Sequence, residues 1–162
     1  MLRQIVVAFI LVSINVTIHA TGMVELFHWL TRKQPKIEKK FDAVKNTFLF
    51  IKIFAIILSL HLAQICVWAG YYTIWEVLED FETALYFSTV TYTTIGYGDI
   101  VLPVGWRLLG AIEGVTGVLT FGWSTGAIFA VASRLWVIRA GQNRPKNSQR
   151  TERKDRVQNQ AI

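Results

Sequence analysis

The chain has 162 residues, 52% of them hydrophobic and 13% aromatic, with a net charge of +6 from 17 Lys and Arg against 11 Asp and Glu. That size makes one compact unit with no room for a separate soluble domain, and the single cysteine excludes an intrachain disulfide. The basic residues fall into two blocks, which membrane topology explains better than nucleic-acid binding does.

The first apolar stretch, about Ile5 to Leu30, is long enough to cross a hydrocarbon core as a helix, though Asn15, His19, Glu25 and His28 interrupt it. A cleaved signal peptide, with Arg3 at its start and Ala20 near its cut, is the rival reading. Ile18 is bulky for such a site, and cleavage would export the basic loop that follows. A retained transmembrane helix over 1–30, N-terminus outside, is the expectation. Residues 31–47 carry Arg32, Lys33, Lys36, Lys39, Lys40 and Lys45 against Glu38 and Asp42, which makes this segment cytoplasmic. Ile37, Phe41, Val44 and Phe48 recur at helical spacing, and Pro35 suits a helix start. A helix lying on the inner membrane surface fits, and so does a solvated linker. Anionic lipid is the expected partner of the basic segments.

Residues 48–136 form the expected pore domain. Its first helix spans about Phe48 to Trp75, with Lys52 snorkelling near the cytoplasmic end and His61 and Gln64 facing other helices. Trp68, Trp75, Tyr71 and Tyr72 read as an outer aromatic belt, and Cys66 as an inert buried thiol. From Ala69 to Trp106 there is no Lys or Arg; Glu76, Glu79, Asp80, Glu82 and Asp99 make this loop external and its mouth attractive to cations. Residues 80–92 predict a short helix, with Asp80 as N-cap and Glu82 in the first turn. It is too short to span, so it must dip into the membrane and return, which needs protein or a water-filled path around it.

The stretch 93–99 then reads Thr93-Thr94-Ile95-Gly96-Tyr97-Gly98-Asp99. Gly96 and Gly98 take positive φ at little steric cost, and alternating such residues with ordinary ones lets successive carbonyls face one side. Four copies around an axis would stack rings of oxygens able to replace the water around a monovalent cation; a near-identical loop is the standard example of a potassium selectivity filter. The segment from about Phe81 to Ser133 resembles the pore module of the potassium channel superfamily, and in particular small bacterial two-helix channels with one helix added in front. The resemblance implies K⁺ held by Thr94, Ile95, Gly96 and Tyr97, with Ile95 and Tyr97 side chains packed behind the filter and Thr93 at its base. It implies supporting roles for Gly98 and for Asp99, which is either bonded by Tyr86 or a free vestibule carboxylate. Val90 occupies the place where some members carry a protonatable glutamate, so gating through that acid is not expected.

The inner helix is expected over 106–136, dotted with Gly110, Gly114, Gly117, Gly122 and Gly126. Aligning Trp106-Arg107-Leu108 with the two-helix channels puts Gly117 at their hinge, with Gly114 and Gly122 as rivals, and sets Phe121 and Thr125 toward the cavity. Glu113 is an acid inside an apolar run; it supports the filter from behind or bonds a neighbouring helix. Trp123 reads as packing. Residues 137–162 read as a disordered basic cytoplasmic tail, with no nucleotide or calcium domain after the last helix. The fold class expected is an all-α membrane protein: three transmembrane helices, a re-entrant pore helix and a filter loop, assembled as a fourfold homotetramer. The function expected is passive potassium-selective conduction, with no cofactor beyond the permeant K⁺ and no nucleic-acid partner. A weakly selective cation pore and a non-conducting assembly subunit are the alternatives. His19 and His28 lie on opposite helix faces and His61 on another helix, so neither a metal site nor catalysis is expected. The first helix lacks the repeated arginines of a voltage sensor.

Overall fold

The computed structural model describes residues 2–37 and 42–142, and among them the chain is helical with no strand. The helices are α1 (Leu2–Ile37), α2 (Ala43–Ile74), α3 (Phe81–Tyr92) and α4 (Arg107–Gln142). Leu2–Arg32, Ala43–Ile74 and Arg107–Ala140 are each long and apolar enough to cross a bilayer. At 12 residues, α3 reaches only about 18 Å against a hydrocarbon core of about 30 Å. The protein is thus a multi-pass membrane protein, all-helical among the described residues.

Helix α1 presents Ala8, Leu11, Asn15, His19, Met23, Leu26 and Leu30 as one buried stripe at three- and four-residue spacing. The stripe lies against α2 and α4 of the same chain. The Arg3 guanidinium sits 5.3 Å from the centre of the Trp106 ring, so α1 begins beside the start of α4. Gly22 faces α2 closely, since a Cβ there would overlap the Leu60 side chain.

The boundary between α1 and α2 differs from the expected interfacial helix. Pro35 lies inside α1, which runs on to Ile37, whereas Val44 and Phe48 belong to α2. Residues 38–41 lie outside the described residues, as do 143–162 of the expected tail; its first residues continue α4. Asp42 caps α2 by accepting from the Val44 and Lys45 N–H groups. The Lys45 N–H is the main reason the Asp42 carboxyl is held below the usual aspartate range.

At its other end α2 closes in a Schellman turn without glycine. Glu76, at φ +51°, donates its N–H to Thr73 O, and Val77 donates to Tyr72 O. Val77 and Tyr72 then meet in the core with Trp68, Ala84, Phe87, Tyr92 and Leu109. Two residues of the expected aromatic belt therefore belong elsewhere: Trp68 and Tyr72 are fully buried, while Trp75 is exposed. Cys66 is the converse correction, exposed on the outer face of α2. An apolar run in a membrane helix faces lipid as readily as protein, so hydropathy alone does not sort these residues.

Asp80 caps α3 as expected, accepting from the Thr83 N–H at 2.8 Å and the Thr83 hydroxyl at 3.0 Å. Glu82 lies in the first turn, near the positive end of the helix dipole. The Thr83 N–H, more than any other contact, keeps the Asp80 carboxyl below the usual aspartate range. Because the folded-state value is lowered, the cap stabilises fully above the ordinary aspartate value and is lost as pH falls through the lowered one. Asp80→Ala is expected to lower the thermal midpoint in detergent by a few degrees and Asp80→Asn by less, since Asn still accepts; equal losses would contradict the cap.

Candidate functional site

Helix α3 ends in a second Schellman turn, and that turn opens the glycine-containing segment. Thr93 is the C-cap, Thr94 donates its N–H to Thr91 O, and Ile95 donates to Val90 O. The residue this motif puts in the left-handed region is Thr94, at φ +61°. Gly96 and Gly98 follow at +57° and +78°. Left-handed backbone thus recurs at every second residue from 94 to 98, while Ile95 and Tyr97 stay at negative φ. Reversing alternate residues is what turns successive carbonyls toward one side of a chain. The sequence pointed to the two glycines and missed Thr94; the signal was the two-residue spacing counted back from Gly98.

Around this segment the side chains are fixed from α3. The Thr93 hydroxyl donates to Thr89 O at 2.6 Å. Tyr86 donates its phenol proton to Asp99 Oδ2 at 2.7 Å, which decides between the two positions open to Asp99. That bond is the main cause of the lowered Asp99 carboxyl value, and it raises the Tyr86 phenol in turn. The segment itself is exposed on the single chain: Ile95 is 54% and Tyr97 70% accessible.

Helix α4 meets α3 through glycines. A Cβ at Gly110 would touch Phe87, one at Gly114 would touch Thr91 O, and one at Gly117 would overlap Tyr92 O. Close approach is therefore the demand on Gly117, and α4 is continuous through it. Gly122 and Gly126 face open space. Glu113 is fully buried and accepts from the Tyr72 phenol at 2.9 Å, joining α4 to α2. Ser88 on α3 faces the same carboxyl group, but Ser88 Oγ and Glu113 Oε1 make no hydrogen bond. Thr125 is exposed, and its hydroxyl is spent on Phe121 O. The Phe121 ring lies against His61 at 4.4 Å and meets Tyr92 edge-on at 5.6 Å, so one side of it turns into the bundle.

One cluster was not foreseen. His19, His61, Gln64, Tyr92, Thr120 and Ser124 meet between all four helices, each of them buried. The His19 and His61 rings are 5.3 Å apart. A legible trace existed in α4, where Glu113, Thr116, Thr120 and Ser124 form a polar stripe at helical spacing. Among the described residues no three His, Cys, Asp or Glu side chains gather as a metal site.

A family model described as an ion channel matches residues 47–134, more than half of the chain. No curated protein and no solved structure matches it.

Gly117→Ala is expected to push α4 from the end of α3 and cost about 1–3 kcal/mol, while Gly122→Ala in open space is neutral or stabilising. Thermal unfolding in detergent compares them, and equal effects would refute the close-approach role. Tyr86→Phe should return the Asp99 carboxyl toward its ordinary value, so that Asp99 takes up its proton at higher pH than in the wild type. Carboxyl-labelled NMR titration reads this directly, and an unmoved midpoint would contradict it.

Proposed function

The chain belongs to the ion-channel family, in its two-helix, potassium-channel-like form, and from that premise we propose that it conducts K⁺ selectively through a homotetrameric pore. The alternation of left-handed backbone at Thr94, Gly96 and Gly98 is the observation that carries this reading. With that alternation, the main-chain oxygens of Thr94, Ile95, Gly96 and Tyr97, together with the Thr94 hydroxyl, replace the hydration shell of a passing K⁺. Neutral oxygens at fixed spacing coordinate the ion without holding it too tightly to leave.

A single segment cannot surround an ion, and four related by a closed rotation can. The exposure of Ile95 and Tyr97 supports this assembly, since large side chains beside an ion path need a neighbour to pack against. Beside the filter lies an open groove of about 470 Å³, lined by Thr91, Thr94, Gly96, Gly114, Val118 and Leu119, which a second subunit would fill. In the assembly α3 is re-entrant. Its acidic start lies at the outer surface, and the negative end of its dipole points toward the central cavity. Asp99, held by Tyr86, braces the filter from outside, and Thr125 with the exposed edge of Phe121 borders the cavity below. The Lys- and Arg-free loop from Ala69 to Trp106 faces outward and the basic segments face the cytoplasm, where they attract anionic lipid. Arg3 beside Trp106 agrees with an external N-terminus.

Gly96→Ala is the test. A Cβ at Gly96 meets no atom within 4 Å, but its φ is +57°, so the substitution strains the filter backbone without a clash. The strain is about 1–2 kcal/mol per subunit, small for the fold and large for an oxygen ring. Liposomes holding the purified wild type should pass K⁺ with a reversal potential near that of potassium, and Gly96→Ala should pass little. Undiminished flux in the variant would refute the filter; a wild-type reversal potential near zero in opposed K⁺ and Na⁺ gradients would point to a weakly selective pore.

A further inference from the structure

The buried cluster between the four helices closes into a ring whose proton positions can be worked out. Gln64 Nε2 donates to Leu60 O at 3.2 Å and faces His19 Nδ1 at 3.0 Å, while Gln64 Oε1 accepts the Tyr92 phenol proton at 2.7 Å. That orientation of the amide makes His19 Nδ1 an acceptor, so the neutral imidazole carries its proton on Nε2 and donates it to Ser124 Oγ at 3.3 Å. Ser124 in turn donates to His61 Nε2 at 3.0 Å. His61 then carries its proton on Nδ1 and donates to the Tyr92 oxygen at 3.2 Å, which completes the circuit. Every group in the ring gives one proton and receives one. The two histidines hold opposite tautomers, and both are neutral.

The ring sits in the middle of α1, α2 and α4 and at the last residue of α3. Tyr92 precedes Thr94 by two residues, and its carbonyl is the atom that Gly117 of α4 approaches. Thr120 of α4 adjoins the ring: with the Tyr92 proton donated to Gln64 Oε1, the Thr120 hydroxyl donates to the Tyr92 oxygen at 2.7 Å. Phe121 lies over His61 and Trp123 over His19. The titratable groups facing the ring are His19 from α1, His61 from α2 and Tyr92 from α3. Toward the outer end comes Glu113 from α4, held by Tyr72 of α2.

A proton added to His19 goes to Nδ1 and faces the Gln64 amide protons; one added to His61 goes to Nε2 and faces the Ser124 hydroxyl proton. Either sets donor against donor in a buried site and adds a charge with no counter-ion in the ring. The closed ring and a protonated imidazole therefore exclude each other. We propose that the His19–Ser124–His61–Tyr92–Gln64 ring is a proton-sensitive latch, closed when neutral, that ties α1 and the inner helix to the inner end of the filter. Acid opens the latch and shuts conduction. The proposal rests on the channel reading, with Tyr92 and the histidines as positioning residues.

The test measures K⁺ flux from liposomes buffered on both faces between about pH 8 and about pH 5, the range in which imidazoles titrate. Wild-type flux is expected to fall about tenfold across that range, a typical size for one coupling. The double variant His19→Gln, His61→Gln should keep its flux nearly constant with pH; the same acid-dependent fall in that variant would overturn the proposal. Ser124→Ala keeps both imidazoles and cuts the link between them, so its midpoint should move to higher pH; an unmoved midpoint would also overturn it. Imidazole ¹⁵N spectra at neutral pH read the ring without any flux. Nε2–H on His19 and Nδ1–H on His61 support the latch, and matching tautomers refute it. Flux absent from the wild type at every pH defeats the channel reading, and the tautomers then decide the ring by themselves.

Discussion

Every helix end leaves N–H and C=O groups without a partner inside the helix, and the segment from Phe81 to Asp99 is built under that constraint. At 12 residues its helix is too short to span a bilayer. It is a short helix, capped by Asp80 at one end and closed at the other by a turn in which Thr94 and Ile95 donate back to α3. That closing turn does two jobs. It satisfies the last carbonyls of the helix, and by forcing Thr94 into left-handed backbone it starts the alternation that Gly96 and Gly98 continue. The cap of the helix and the first residue of the proposed filter are the same residue.

The rest of the chain holds this turn in place. α4 comes close enough because Gly117 presents no side chain to α3, where its neighbour is the Tyr92 backbone itself, and Gly110 and Gly114 lie along the same contact. α2 contributes Tyr72, which reaches across to Glu113, and His61 and Gln64, which take hold of the Tyr92 phenol. α1, which a two-helix pore module lacks, joins through His19. Each is a polar side chain placed where lipid would make it costly and a partner makes it useful. Among the aromatic residues, Tyr72 is buried with its phenol on Glu113, while Trp75 remains at the surface.

What could be read from sequence divides along a physical line. Spans, the short capped helix and the glycine loop are written in local pattern. Twenty or more apolar residues can only be a membrane helix, Asp80 before Glu82 starts one, and glycines two apart permit left-handed turns. The family match at residues 47–134 agrees with that pattern. Apart from the interfacial helix, whose residues continue α1 and begin α2, the expectations that needed revision concerned which side of a helix a residue faces. Cys66, Trp68 and Tyr72 all sit in the apolar run of α2, and nothing local says that the first meets the surface and the others the core.

His19 and His61 are the clearest case. They stand in different helices, with no spacing to connect them, and the sequence offered only two isolated polar interruptions. The sequence by itself determined that the chain crosses a membrane and carries a filter-like loop, because hydropathy, capping and glycine content act over neighbouring residues. Only the tertiary structure decided that Thr94 is left-handed, that Gly117 is needed for contact, and that two distant histidines share one hydrogen-bonded ring. The first follows from the hydrogen bonds of the turn that closes α3; the other two depend on how far each helix is rotated about its axis, which packing between helices settles rather than any pattern within one.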